Sequence, residues 1–348
     1  MISIQSLLFA SLFSLFLAFI MSYFFNKKNF LLDKTNTAEH KQLTAVNNSN
    51  KVILCGGIVI FISSIFFLDN NLFLIKLFGG LILIVGILSD INKLNSPKIR
   101  IIAQFFIALL FLLFYENLAI NDLRITAINR LLEIKFISIL FTIFCILILI
   151  NGSNFLDGLN TLVVGYYILV LGIIITTSIQ FNLYLDINVY YLIIFLSVVF
   201  IFNFFNKIYL GDAGSYLISF FTIFFILDFF TKNDSISPYF ICLVLWYPAF
   251  ENLFSIMRRI FFKKKIDQAD QNHLHQMIYC TLLTKNYLKK EYINTATAVL
   301  INLFNLFIFT LSYKYYFMTK HLIIVIFFNI FIYLIIYFFL KKKLNTFQ

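Results

Sequence analysis

Long apolar runs separated by short polar loops dominate this chain, near residues 4 to 25, 52 to 68, 72 to 89, 99 to 117, 135 to 151, 158 to 178, 187 to 205, 214 to 231, 236 to 257, 293 to 315 and 320 to 340. A helix needs about 20 predominantly apolar residues to cross a bilayer. Each run therefore predicts a transmembrane helix, eleven in all. Backbone polar groups in lipid must be satisfied within their own segment, so helices are the expected secondary structure throughout. Composition agrees: 61% of the 348 residues are hydrophobic and only 12% are charged, whereas soluble domains carry about 25% charged residues. With 47 Phe and 19 Tyr but only three Pro, the chain is not a disordered or low-complexity protein. The four Cys suggest neither a disulfide framework nor a metal cluster. Basic residues follow the first run instead of preceding it, which predicts a retained span and not a cleaved signal peptide.

The charge distribution sets an orientation. Assigning each Lys and Arg to the nearer end of its run places twenty of the 27 on one side, among them Lys27, Lys28, Lys93, Lys98, Arg100, Lys207, Arg258 and Arg259, with further contributions from Lys34, Lys41, Lys51, Lys264 and Lys265. The positive-inside rule makes that side cytoplasmic. An odd number of spans then puts the N-terminus outside and the C-terminus inside. Acidic residues divide almost evenly, so the net charge of +11 faces the cytoplasm. The membrane accounts for this excess, and nucleic acid is not an expected partner. No change of composition marks a separate soluble domain. The expectation is one all-α, multi-pass domain over residues 1–348, with a basic, histidine-containing cytoplasmic loop at 258–292.

The polar residues are concentrated at the cytoplasmic ends of the spans and not in their interiors, where a transporter would be expected to carry ionisable groups. The clusters are Ser89-Asp90, Asn151 to Asn160, Gly211-Asp212-Ala213-Gly214-Ser215, and the stretch with Asp267, Asp270, Asn272, His273 and His275. Each has a structural reading. In it Asp90 caps the loop before Pro97, Asp212 is a helix N-cap before the eighth span, and Asn151 with Asn154 satisfies helix-end groups. Together they place carboxylates inside a basic frame at one membrane plane, which suits a divalent cation and a phosphorylated ligand. Hard oxygen ligands favour Mg²⁺, which takes one or two carboxylates and leaves its other positions to water and phosphate. His273 and His275 are too far from a regular i, i+4 spacing to share a helix face, so a loop or helix entrance is expected there.

These blocks resemble the polyprenyl-phosphate N-acetylhexosamine-1-phosphate transferases, glycosyltransferase family 4. Gly86-Ile87-Leu88-Ser89-Asp90 with Leu94 to Arg100 and Gln104 resembles the family's aspartate pair and its following loop. Asn151-x-x-Asn154-x-x-Asp157-Gly158-Leu159-Asn160 resembles its Asn-rich DG motif, and Asn203 with Lys207 to Ser215 resembles the block whose aspartate binds metal. Trp246-Tyr247-Pro248 to Arg258-Arg259, followed by Asp270 to His275, is similar to the His-x-His branch that acts on UDP-activated N-acetylhexosamines. The likeness runs from about His40 to about Gln276. Departures are Ser89 in place of the first aspartate, Asn160 for Asp, Thr161 for Gly, and Glu251 for Asp.

The resemblance implies transfer of a sugar-1-phosphate from a UDP-N-acetylhexosamine to undecaprenyl phosphate, releasing UMP and initiating a surface glycan at the bacterial inner membrane with the site facing the cytoplasm. It implies Mg²⁺, with Mn²⁺ as an alternative, held by Asp212 and Asp157. Asp90, Asp157 and Asp212 become the catalytic candidates; Asn151, Asn154, Asn203, Lys207, Arg258, Arg259, His273 and His275 become substrate-binding candidates. Membrane lipid is a partner and a homodimer is compatible with the sequence. Two other readings stay open on sequence: a transporter or flippase of lipid-linked saccharides, and a non-catalytic relative.

Overall fold

A computed structural model describes residues 3–28, 31–32, 52–263, 272–285 and 289–345. Lys34, His40, Lys41, Lys51, Lys264, Lys265, Asp267, Asp270 and Gln271 lie outside the described residues, as do parts of the 258–292 loop. Among the described residues the fold is all-α, with 81% of them helical. In chain order the helices are α1 (Ile4–Lys28), α2 (Gly56–Phe67), α3 (Phe73–Asp90), α4 (Pro97–Phe114), α5 (Thr126–Leu132), α6 (Lys135–Leu156), α7 (Leu162–Phe181) and α8 (Asn188–Phe204). They continue with α9 (Gly211–Thr231), α10 (Pro238–Val244), α11 (Trp246–Phe261), α12 (Leu274–Lys285), α13 (Lys290–Ser312) and α14 (Thr319–Asn345).

Among the described residues, eight helices are long and apolar enough to cross a membrane, or nine if α10 and α11 count as one bent span. This is a multi-pass membrane protein in which, among the described residues, fewer helices reach full crossing length than the eleven runs predict. The shortfall has two sources. The 52–68 run spends its first residues on a two-residue strand, β1 (Ile53–Leu54), so that α2 has only 12 residues; α8 has 17. In parallel register, β1 pairs with β2 (Ile208–Tyr209), Ile53 opposite Ile208 and Leu54 opposite Tyr209. Hydropathy alone does not separate two strand residues from the helix that follows them.

Burial identifies the centre. The apolar window of α9 is 94% buried, against 17% for α1 and 22% for α14. The outer helices therefore face lipid and α9 is enclosed by its neighbours. Two close approaches seat its first turn. A Cβ on Gly57 of α2 would lie 2.6 Å from Gly214 Cα, and one on Gly86 of α3 would lie 2.3 Å from Ala213 Cα. Only hydrogen fits at these positions, so backbones meet where Asp212 enters the helix.

The α10–α11 pair bends by 76°. Pro248 explains the break: it has no N–H to donate to the Val244 carbonyl, and its ring would clash with that group in a continuous helix. Tyr166 Oη of α7 donates to the Val244 oxygen instead, at 2.8 Å, and Trp246 Nε1 donates to Asn305 Oδ1 of α13 at 2.9 Å. Gly152 allows α6 to reach the broken segment, since a Cβ there would sit 2.1 Å from Pro248 O.

Candidate active site

Asp90 ends α3 and Asp212 begins α9. The Asp90 carboxylate accepts from the Asp212 amide at 2.9 Å through Oδ1 and from the Ala213 amide at 3.1 Å through Oδ2. A helix N-terminus carries unsatisfied amides and partial positive charge, so a carboxylate delivered from another helix is well matched to it. Gly211 makes the delivery possible. Its φ is +68°, and any Cβ would stand 2.6 Å from Asp90 Oδ2. Asp90 therefore caps a helix, but it is α9, 122 residues along the sequence, and not the loop before Pro97.

The Asp212 side chain is held by residues from two other segments. Its Oδ2 accepts from Ser89 Oγ at 2.5 Å and from Arg100 Nη1 at 2.7 Å. Arg100 also donates to Ser89 Oγ at 2.6 Å. Its weaker contact at 3.4 Å reaches Tyr216 Oη, to which Asn154 Nδ2 donates at 3.5 Å; Asn154 Oδ1 accepts from Ser215 Oγ at 3.2 Å. The ends of α3, α6 and α9 and the start of α4 therefore converge on one half-buried polar mouth. The motif residues Asp90, Asn154 and Asp212 come together there. Asn151 lies one turn deeper, donating to Gln104 Oε1 at 2.9 Å.

Asp157 and Gly158 follow at the end of α6. A Cβ on Gly158 would be 3.1 Å from His275 Nε2, so the DG turn and the His-x-His segment are neighbours. The loop that follows is fastened by amides. Asn203 Oδ1 accepts from the Thr161 amide while its Nδ2 donates to Ile208 O at 2.9 Å; Asn160 donates to Asn206 Oδ1, and its amide donates to Asn294 Oδ1 at 2.7 Å. Asn203, a substrate-binding candidate by resemblance, is buried in this frame. Thr161 has φ +66°, a left-handed conformation that costs a β-branched residue about 1–2 kcal/mol. Thr161→Gly is expected to raise stability by about 1 kcal/mol, read as a higher melting temperature in detergent; a lower one would mean that the Thr161 side chain outweighs the strain.

Around the broken span, His273 and His275 stack at a centroid separation of 5.6 Å and 18° between planes. Regular helix spacing did not predict this, because His273 precedes α12 and only His275 lies within it. His273 Nδ1 meets Glu251 Oε1 at 2.9 Å. His275 is fully buried, and neither ring nitrogen has a hydrogen-bond partner among the described residues. Burial drives its pKa down to about 3, so the ring is neutral. Arg258 is buried and donates to Asn272 O at 2.6 Å and Tyr337 Oη at 2.8 Å. Arg259 stands over the Phe155 ring, 5.9 Å from its centroid, and Lys207 is exposed.

Sequence reasoning placed Arg100 in the basic frame and in the loop of the first motif block, put Ser89 in the first polar cluster while noting it as a departure, and treated Glu251 only as a departure; the structure puts all three in direct contact with predicted site residues. Tyr216 and Tyr333 carried no motif signal. The one available clue for Ser89 and Arg100 was their spacing from Asp90 in the loop that resembles the family's first block.

Residues 72–230 match the model of a family described as glycosyl transferase family 4. That stretch covers α3 to α9, and so Ser89, Asp90, Arg100, Asn154, Asp157 and Asp212; the broken span and the His-x-His segment fall beyond it. No curated protein matches the chain.

Proposed function

Because residues 72–230 match the model of glycosyl transferase family 4, we propose that this is the enzyme that moves a sugar-1-phosphate, an N-acetylhexosamine-1-phosphate, from a UDP-sugar to undecaprenyl phosphate. A phosphate oxygen of the lipid attacks the sugar-bearing phosphorus, a new P–O–P linkage forms, the bond to UMP breaks, and UMP leaves. The observation that carries this reading is the convergence of Asp90, Asp212, Arg100, Ser89 and Asn154 at one mouth at the ends of apolar helices. A lipid whose phosphate lies at headgroup depth and a water-soluble anionic donor meet most simply at such a place. The positive-inside rule supports a cytoplasmic mouth, and the family resemblance supports a bacterial inner membrane.

Phosphoryl transfer requires alignment and charge neutralisation more than covalent chemistry. Among the described residues no three His, Cys, Asp or Glu side chains gather as a metal-binding group. Mg²⁺ does not need such a group, since one or two carboxylates with water and substrate phosphates complete its shell. Asp212 fits: Ser89 and Arg100 both bond to its Oδ2, and Oδ1 is the oxygen assigned to the cation, with Asp157 as second carboxylate and Mn²⁺ as the alternative ion. When bound, the cation neutralises diphosphate charge. Arg100 adds a fixed positive charge beside Asp212, and Asn154 offers an amide next to it. Asp90 has both oxygens on backbone amides, which makes it the residue that positions Asp212 and its helix. His273 and His275, with Arg258 and Arg259 behind them, line the neighbouring side, where substrate phosphate is held.

UMP release by detergent-purified protein, given undecaprenyl phosphate, Mg²⁺ and a panel of UDP-N-acetylhexosamines, tests the reading. Release that needs both lipid and Mg²⁺ is expected and identifies the sugar. No release from folded protein across the panel would favour a transporter of lipid-linked saccharides or a non-catalytic relative.

A further inference from the structure

Glu251 is 0% exposed inside α11. Burying a carboxylate is costly unless its lone pairs are used, and here they are. Oε1 meets His273 Nδ1 at 2.9 Å and accepts from the Leu274 amide at 3.4 Å, while Oε2 accepts from Tyr333 Oη at 2.7 Å. Tyr333 belongs to α14, far beyond the family match. Its ring stands edge-on to Phe250 at 5.0 Å and Phe254 at 5.6 Å, and these contacts fix where its hydroxyl points. The His273 ring lies between Phe155, at 5.4 Å, and the neutral His275 ring, at 5.6 Å.

A carboxylate can only accept, so His273 Nδ1 carries a proton. Nε2, on the opposite edge of the ring, is then the nitrogen left for a substrate. We propose that Glu251 and Tyr333 are positioning residues that lock His273 in its Nδ1–H tautomer and turn Nε2 towards the acidic hydroxyl of a phosphate monoester. The role given to Nε2 rests on the transferase reading above; the lock itself rests on the hydrogen bonds alone. Through Tyr333 and Glu251 the arrangement couples α14 to the site, beside the Arg258–Tyr337 bond made by the same helix.

Two measurements test it. The first uses the full-length protein in nanodiscs with ¹⁵N-labelled histidine; the chain has four His, and His273→Gln assigns the signal. The Nδ1–H pattern is expected for His273, and Nε2–H would overturn the lock. The second is kinetic. Glu251→Leu is expected to lose about 10²-fold in kcat, and Glu251→Gln, whose amide oxygen still accepts from Nδ1–H, to recover to within about tenfold of the native enzyme. A Gln variant no better than Leu would overturn a positioning role. Should the Leu variant not fold, Tyr333→Phe carries the test: it is expected to lower kcat more than it raises KM, and to add nothing to the loss in His273→Gln, because residues acting as one unit are not additive. Independent, multiplying losses would overturn the proposal. Native protein with the Nδ1–H tautomer and no UMP release would overturn the reaction and the role given to Nε2, leaving the lock in place.

Discussion

Asp212→Asn is expected to lower UMP release by about 10²–10³-fold or more, the scale on which a preorganised electrostatic contact to a reacting group contributes, while the protein still purifies as a folded species. The amide oxygen of Asn can accept from Ser89 Oγ and Arg100 Nη1 as the native Oδ2 does at 2.5 and 2.7 Å. The helix start is also untouched, because the Asp212 and Ala213 amides donate to Asp90 and not to the side chain that changes. Only the negative charge disappears. That charge is what a cation would bind and what balances Arg100, whose side chain is 19% exposed. Turnover at the native rate with Mg²⁺ present, by protein with an unchanged melting temperature, would remove Asp212 from the site.

Gly86→Ala is expected to cost stability and activity together. The added methyl would lie 2.3 Å from Ala213 Cα, 2.5 Å from its nitrogen and 2.9 Å from the Asp212 carbonyl carbon. These are backbone atoms that cannot rotate away. Helices α3 and α9 must separate, at an overpacking cost of about 1–3 kcal/mol. The same separation draws Asp90 from the two amides it caps and disturbs the Ser89–Asp212 bond. A control is available in α7: a Cβ on Gly172 meets nothing within 4 Å, and Gly172→Ala is expected to leave both melting temperature and turnover unchanged. Equal behaviour of the two variants would mean that the α3–α9 approach does not set the site.

The sequence shows the solvent of this protein and the end of the helices where its chemistry gathers. Apolar runs and one-sided basic charge act locally, along the chain, and are legible there. Asp90, Asn154 and Asp212 stood out because carboxylates and amides are expensive beside apolar runs unless something uses them. Contacts across sequence were not legible. Arg100 looked like the other basic residues at that membrane face, and its bond to Asp212 spans 112 residues. Glu251 looked like a conservative replacement for Asp, and its partners stand 22 and 82 residues away. The extra length of Glu relative to Asp is part of what reaches His273 and Tyr333 at once.

Spans and breaks show the same limit. The 236–257 run is continuous in hydropathy, yet Pro248 breaks the ladder and Tyr166, from another helix, takes the orphaned carbonyl of Val244. Thr161 illustrates the reverse case. Its replacement of Gly was visible, but only the backbone reveals that the position is left-handed, with φ at +66°. Asn203, a substrate-binding candidate by resemblance, and Asn160, read only as a replacement for Asp, both hold backbone and loop, and a residue type that satisfies backbone so readily cannot be assigned to substrate from composition alone.

The most direct test of the account follows the phosphorus itself. A UDP-N-acetylhexosamine carrying label in its β-phosphate is incubated with purified protein, undecaprenyl phosphate and Mg²⁺, and the aqueous and lipid phases are separated. The account predicts that label enters the lipid phase in step with unlabelled UMP appearing in water, and that Asp212→Asn stops both. Label that remains with the soluble nucleotide, in the presence of folded native protein and both substrates, would contradict it.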